Sequence, residues 1–151
     1  MVAPLRAGGG PTPRDQLAAA TSMECEFWLT ADAGWKDDQP YAEVKRVSPI
    51  KIGFSEIATD EGTAQMTGDF GAVAILAQLT GDKLHFLQMY REGPLYVTTV
   101  FADQGRPGRL KAVQSRHEFI TVSLPGFTTK PAQYYGDCAI SAAPSPRQDT
   151  R

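Results

Sequence analysis

Ser115, Arg116 and His117 are the residues of this chain best equipped for chemistry. On a β-strand residues 115 and 117 point the same way, which brings a serine hydroxyl and an imidazole to one side of the chain, the first requirement of a nucleophilic pair. Such a pair also needs an acid to orient the imidazole and donors for an oxyanion, and no motif of the sequence supplies either. The triplet is therefore read as a polar strand end entering a loop, with a small hydrolase using Ser115 and His117 as the third alternative after a binding barrel and an interaction subunit, and no catalytic residue is assigned. His85 and His117 lack the further ligands of a metal site, and Asp37-Asp38 reads as a solvated loop, so neither a metal nor a cofactor is expected. Nucleophile elbows, His-Glu pairs at helical spacing and phosphate-cradling glycine loops are absent. Asp69-Phe70-Gly71 spells a kinase tripeptide without the catalytic loop of that fold, and reads as a hairpin turn.

The elements that must position these residues are strands. Period-two alternation predicts them near Met23–Trp35, Ile50–Ile57, Thr63–Gly68, Ala72–Leu79, Leu84–Tyr90, Leu95–Phe101, Leu110–His117 and Gln133–Ile140, with a less distinct one around Phe119–Val122. The connectors Asp60-Glu61-Gly62, Asp69-Phe70, Gly81-Asp82 and Glu92-Gly93 are short, and a wider loop spans Asp103–Gly108. Short hairpins make sequence neighbours into sheet neighbours. A meander of about eight strands leaves two raw edges unless it closes, so the expected fold is all-β, an antiparallel up-and-down barrel.

A two-residue turn fixes which side chains lie opposite one another. Two-residue turns at Asp69-Phe70, Gly81-Asp82 and Glu92-Gly93 would put Ala64, Met66, Val73, Ile75, Ala77, Leu79, Leu84, Phe86, Tyr90, Leu95, Val97 and Phe101 on one face, the expected core. Gln88 and Thr99 fall on that face too, joined by Gln114 and Arg116 if Leu110 and Ala112 point inward. These polar groups either satisfy one another and close one end of the barrel, or form with Tyr90 the polar end of a cavity for a small apolar or amphipathic ligand. The other face carries Leu76, Leu87, Met89, Tyr96 and Val100, an apolar exterior that suits contact with a partner or a homodimer. Trp28 and Trp35, seven apart, face opposite sides unless a bulge intervenes, and Tyr134-Tyr135 put one ring on each face.

With 151 residues, 42% of them hydrophobic, the chain supports one well-buried core and not two ordinary domains. The expected organisation is a flexible segment at 1–20, a barrel at 21–140 and a disordered tail at 141–151; residues 14–20 have the makings of a short helix. A formal net charge of -2 with scattered basic residues gives no electrostatic footprint for nucleic acid. No apolar run reaches the roughly 20 residues of a membrane helix. Cys25 and Cys138 stand in the first and last strands, where closure would let them bridge. A bridge would favour a periplasmic or secreted location, although the first twenty residues contain no apolar h-region of a signal peptide.

From Lys51 to Cys138 the chain resembles a loose group of uncharacterised small bacterial β proteins through Thr98-Thr99-Val100-Phe101, Ser115-Arg116-His117 and Gln133-Tyr134-Tyr135-Gly136-Asp137-Cys138. That resemblance implies no activity. In architecture the expected barrel is similar to lipocalins and avidin-like barrels, which implies a fold and not a function. Ala33-Gly34-Trp35 departs from the lipocalin Gly-x-Trp motif by placing its glycine directly before the tryptophan.

Overall fold

The computed structural model describes residues 9–68, 71–91, 93–118 and 130–141. Eight strands follow one short helix: α1 (Pro13–Ala19), β1 (Met23–Lys36), β2 (Gln39–Ala58), β3 (Thr63–Gly68), β4 (Gly71–Thr80), β5 (Lys83–Met89), β6 (Leu95–Gln104), β7 (Leu110–Glu118) and β8 (Lys130–Ile140). Each strand pairs antiparallel with its neighbour in sequence, and β8 pairs with β1, so the meander closes into a barrel without a crossover. The strand expected around Phe119–Val122 and the tail after 141 lie outside the described residues. No helix among the described residues is long and apolar enough to cross a membrane.

Cys25 and Cys138 meet directly across the closing seam, form the disulfide and are fully buried. Beside them Gly136 lies so close to β1 that a Cβ there would collide with the backbone of Glu26 and Phe27. Outside the seam, Arg106 and Arg109 from the β6–β7 loop converge on Asp137, whose carboxylate is buried. Arg106 also reaches Glu26 at 3.1 Å and lies over the Trp28 ring. Burial pushes the Asp137 carboxyl up, but the hydrogen bonds from the two guanidinium groups outweigh it and hold the group below its ordinary value.

One end of the barrel is sealed by α1. Of the segment expected to be flexible, residues 1–8 lie outside the described residues, and the short helix suggested for 14–20 is present: Thr12 caps it in a reciprocal box with Asp15, and Pro13 occupies its first turn. Leu17 and Ala20 enter the core, and Arg14 donates to the Gly81 carbonyl at 3.0 Å. Seven residues make a helix too short to stand alone; burial of Leu17 supplies what helix propensity cannot. Phe27, Phe54, Phe86, Met23 and Leu84 fill the middle, with the rings of Phe54 and Phe86 stacked at 3.9 Å.

The registers of β3–β4 and β4–β5 are those the turns imply: Met66 faces Val73, Ala77 faces Phe86 and Leu79 faces Leu84. The β5–β6 register is displaced by one. Met89 pairs with Leu95, and the Tyr90 amide donates to the Pro94 carbonyl at 2.8 Å, so the connection holds three residues rather than two. Its last member, Gly93, takes a φ of 113°, a conformation that suits glycine. A one-residue displacement turns every side chain of β6 over. Val100 is consequently fully buried opposite Leu84, and Tyr96 and Thr98 also point inward, which corrects their expected outward placement. Leu95, Val97, Thr99 and Phe101 point outward and are half-buried. Val73 keeps its inner register but is 42% exposed near the start of β4.

The β1–β2 hairpin is longer than the alternation suggests. Asp37 and Asp38, expected to form a solvated loop, make its two-residue turn with φ of 48° and 60°, the mirror-image type favoured by twisted hairpins. Residues 39–49, which carry prolines at 40 and 49 and no buried face, extend β2 past its pairing with β3 as an arm.

Candidate functional site

Two places in the fold gather polar groups against apolar walls. The first is the interior layer above the stacked phenylalanines. Gln114, with no exposed surface, donates to the Thr98 hydroxyl at 2.9 Å and accepts from Arg116 Nε at 2.6 Å. The Arg116 guanidinium then lies over the rings of Tyr96 and Tyr134, at 4.9 and 4.4 Å from their centres. Tyr90 packs edge-on to Tyr96 at 5.1 Å. A cation between two aromatic faces caps this end of the barrel.

Of the five residues expected to line a ligand cavity, Gln88, Gln114 and Arg116 share this layer and Tyr90 stands at its rim. Thr99 does not join them. The displaced β6 register puts it outside, where its hydroxyl lies 2.9 Å from His85 Nδ1, and Thr98 takes the interior place. The gaps among Phe54, Met66, Ile75, Phe86, Gln88, Tyr96, Thr98 and Gln114 are too narrow for a water molecule. Gln88 is 5% exposed, and neither atom of its amide finds a hydrogen-bond partner among the described residues.

The second place is on the outside. A groove of about 500 Å³ crosses the outer faces of five neighbouring strands, from Leu95 and Val97 on β6 through Ser115, His117, Pro131 and Gln133 to Ala31 and Ala33 on β1 and Ala42 and Val44 on β2. Two causes make a convex barrel concave here. A bulge between Phe27 and Leu29 bends β1 where it enters the arm. Alanines at 31, 33 and 42 then leave space where larger side chains would fill the surface. The same bulge is the exception allowed for the tryptophans: Trp28, under Arg106, and Trp35, 63% exposed beside Ala33 and Pro40, both stand outside.

The polar groups of this groove come from the triplet that the sequence singles out. The Ser115 hydroxyl accepts from Gln133 Nε2 at 3.4 Å, and the Gln133 side-chain carbonyl accepts from the Tyr135 hydroxyl at 2.7 Å. Arg116, between Ser115 and His117 in sequence, points the other way into the barrel, as alternation requires. No group of three or more His, Cys, Asp or Glu able to hold a metal exists among the described residues. Leu76 and Met89 are outside and widely exposed, at 61% and 77%, with Leu87 beside Leu76.

Sequence reasoning missed the groove because it assigned Leu95 and Val97 to the interior and gave residues 39–49 no element. The small-residue alternation Ala31-x-Ala33, opposite Ala42-x-Val44, is the signal that marks it.

The molecule is thus a closed eight-stranded antiparallel barrel with a filled interior and an apolar groove on its outer wall. No protein-family model and no curated protein matches the chain.

Proposed function

We propose that this chain is a non-enzymatic binding protein that takes a small apolar or amphipathic molecule on the outer wall of its barrel rather than inside it. The observation that carries this reading is the groove itself. Its volume of about 500 Å³ lies within the usual range of small-molecule sites, and its walls are apolar with Ser115, His117 and Gln133 gathered along one side. The interior offers no comparable space: α1 plugs one end, the Tyr96–Arg116–Tyr134 sandwich caps the other, and the layer between is packed. A ligand with an aliphatic body and one polar head matches the distribution of groups.

Native mass spectrometry of the purified full chain, followed by titration with an anilinonaphthalene sulfonate dye, tests the reading. Saturable one-site dye binding that Val97→Lys abolishes, with an unchanged circular dichroism spectrum, is the expected result. Unaltered dye binding in that variant, or loss of it in Gln114→Met alone, would place the site elsewhere. A second reading, contact with a partner protein through the outer face, is favoured by the exposure of Leu76 and Met89; there Met89→Glu, and not Val97→Lys, would disrupt the interaction.

A further inference from the structure

The arm leaves a strand edge without a neighbour. β2 runs from Gln39 to Ala58, but its pairing with β3 begins only at Gly53, so the side of residues 39–52 facing away from β1 has no strand partner among the described residues. From Lys36↔Gln39 to Leu29↔Arg46 the two strands of the arm match residue for residue, with no shift inside the stretch. In a hairpin closed by two residues, the pair flanking the turn exchanges both hydrogen bonds, and alternate residues then point their backbone groups inward and outward. Tyr41, Glu43 and Lys45 accordingly turn their amides and carbonyls toward β1. Ala42, Val44 and Arg46 offer theirs to the open edge.

That edge is complementary to itself. Its centre reads Glu43-Val44-Lys45. When an identical antiparallel strand is set against it with Val44 opposite Val44, each Glu43 falls opposite a Lys45 of the other copy, and Ala42 falls opposite Arg46. The central Val44 pair exchanges two backbone hydrogen bonds, and each Ala42–Arg46 pair can do the same. Pro40, which has no amide to donate, falls opposite Ser48 at the limit of the ladder. Centring the axis on Ala42 instead would put Pro40 into the ladder opposite Val44, and centring it on Arg46 would leave Glu43 opposite Pro49. Val44 is 67% exposed, and the side chains of Glu43 and Lys45, about half exposed, pair with each other at 3.7 Å within the chain, an exposed contact that can be exchanged for the equivalent pairs with a second copy.

We propose that the β2 edges of two copies pair in this register, joining two barrels through a four-stranded ribbon about a two-fold axis. The opposite charges select the register, and the unpaired backbone groups supply the hydrogen bonds. Ala42 and Val44 also line the outer groove, but the ladder is made by their backbone groups, so the pairing stands whether or not the groove holds a ligand.

Sedimentation velocity of the full chain, with and without charge reversal, decides the matter. The wild type should sediment as a dimer at micromolar concentration. Glu43→Lys, which sets Lys opposite Lys twice, should raise the dissociation constant about tenfold or more. Lys45→Glu, which sets Glu opposite Glu twice, should act alike. Mixing the two variants should restore a heterodimer, because both cross-strand pairs then join a lysine to a glutamate again. Lys45 also neighbours Asp32 within its own chain, at 3.9 Å, so the fold of Lys45→Glu is checked by circular dichroism. If it fails, Val44→Pro, which removes the central edge amide, should abolish the dimer by itself. A monomeric wild type at 100 μM, or a dimer indifferent to both Glu43→Lys and Val44→Pro, overturns the proposal; the former result would mean that Pro40, Lys45 and Arg46 guard the edge.

Discussion

Two glutamines occupy the same buried layer and should respond to the same substitution with opposite signs. Gln88 is 5% exposed and its amide has no partner among the described residues, whereas Gln114 is fully buried and bonded to both Thr98 and Arg116. A buried polar group left unsatisfied costs about 1–3 kcal/mol, and methionine keeps the unbranched shape of glutamine while removing that cost. Gln88→Met should therefore stabilise the barrel by about 2 kcal/mol, which for a chain of this size raises the melting temperature by about 4–8 °C. Gln114→Met removes two hydrogen bonds, one of them to a guanidinium, and leaves Thr98 and Arg116 to find other partners. It should destabilise by about 2–4 kcal/mol. Urea unfolding followed by circular dichroism, without reductant, measures both, and unchanged m values would show that the comparison is one of stability alone. Destabilisation of more than about 1 kcal/mol by Gln88→Met would refute the reasoning, because the amide would then have a partner in solution.

The clasp on Asp137 sets an acid limit. Its carboxyl is held below the unfolded value near 3.9, so the stability it contributes is present above about pH 4 and is lost as pH falls through the folded value. Unfolding midpoints measured from pH 7 to pH 3 should show this fall in the wild type and a smaller one in Asp137→Asn, which at pH 7 should already be weaker by about 2–3 kcal/mol. Gly136→Ala should leave little folded protein in a soluble-expression assay, since its Cβ would meet the backbone of Glu26 and Phe27; normal yield and melting would count against the described seam. Leu84→Glu should unfold the barrel by burying a lone charge, while Met89→Glu, at a position 77% exposed, should melt as the wild type does. Hydrolysis of a nitrophenyl ester by the purified chain should be unchanged by Ser115→Ala, and abolition of a robust turnover would establish the catalytic role denied above.

Most of the meander was legible because its turns are short and marked, and a marked turn fixes neighbours. Leu79 opposite Leu84 and Met66 opposite Val73 follow from turn length alone, and the bridge between Cys25 and Cys138 follows from their places in the first and last strands once the sheet closes. The failures each trace to one residue's worth of backbone or to a face with nothing to bury. Around Glu92-Gly93 a third loop residue is invisible to alternation, because Tyr96, Val97, Thr98, Thr99 and Val100 are all acceptable on either face. That single residue exchanged Thr98 for Thr99 in the interior layer and moved Val97 to the groove. The arm was illegible for the second reason. With no face to bury, residues 39–49 show no period, and two prolines argue against a strand where only the edge position makes them tolerable. The helix was legible only as a local tendency, because a single buried leucine, and not a periodic stripe, holds it to the barrel.

The disulfide has a mechanical consequence. It joins residues that face one another across the seam where the chain's first and last strands meet, so the covalent path from the first strand to the last is a single side-chain bridge. Tension applied between the two tails would run through that bond and bypass the strands, and the domain would respond as a rivet rather than as a spring. The 113 residues of sequence separation would stay out of reach of the load. Reduction under force would release them, adding about 370–410 Å of contour length at roughly 3.3–3.6 Å per residue.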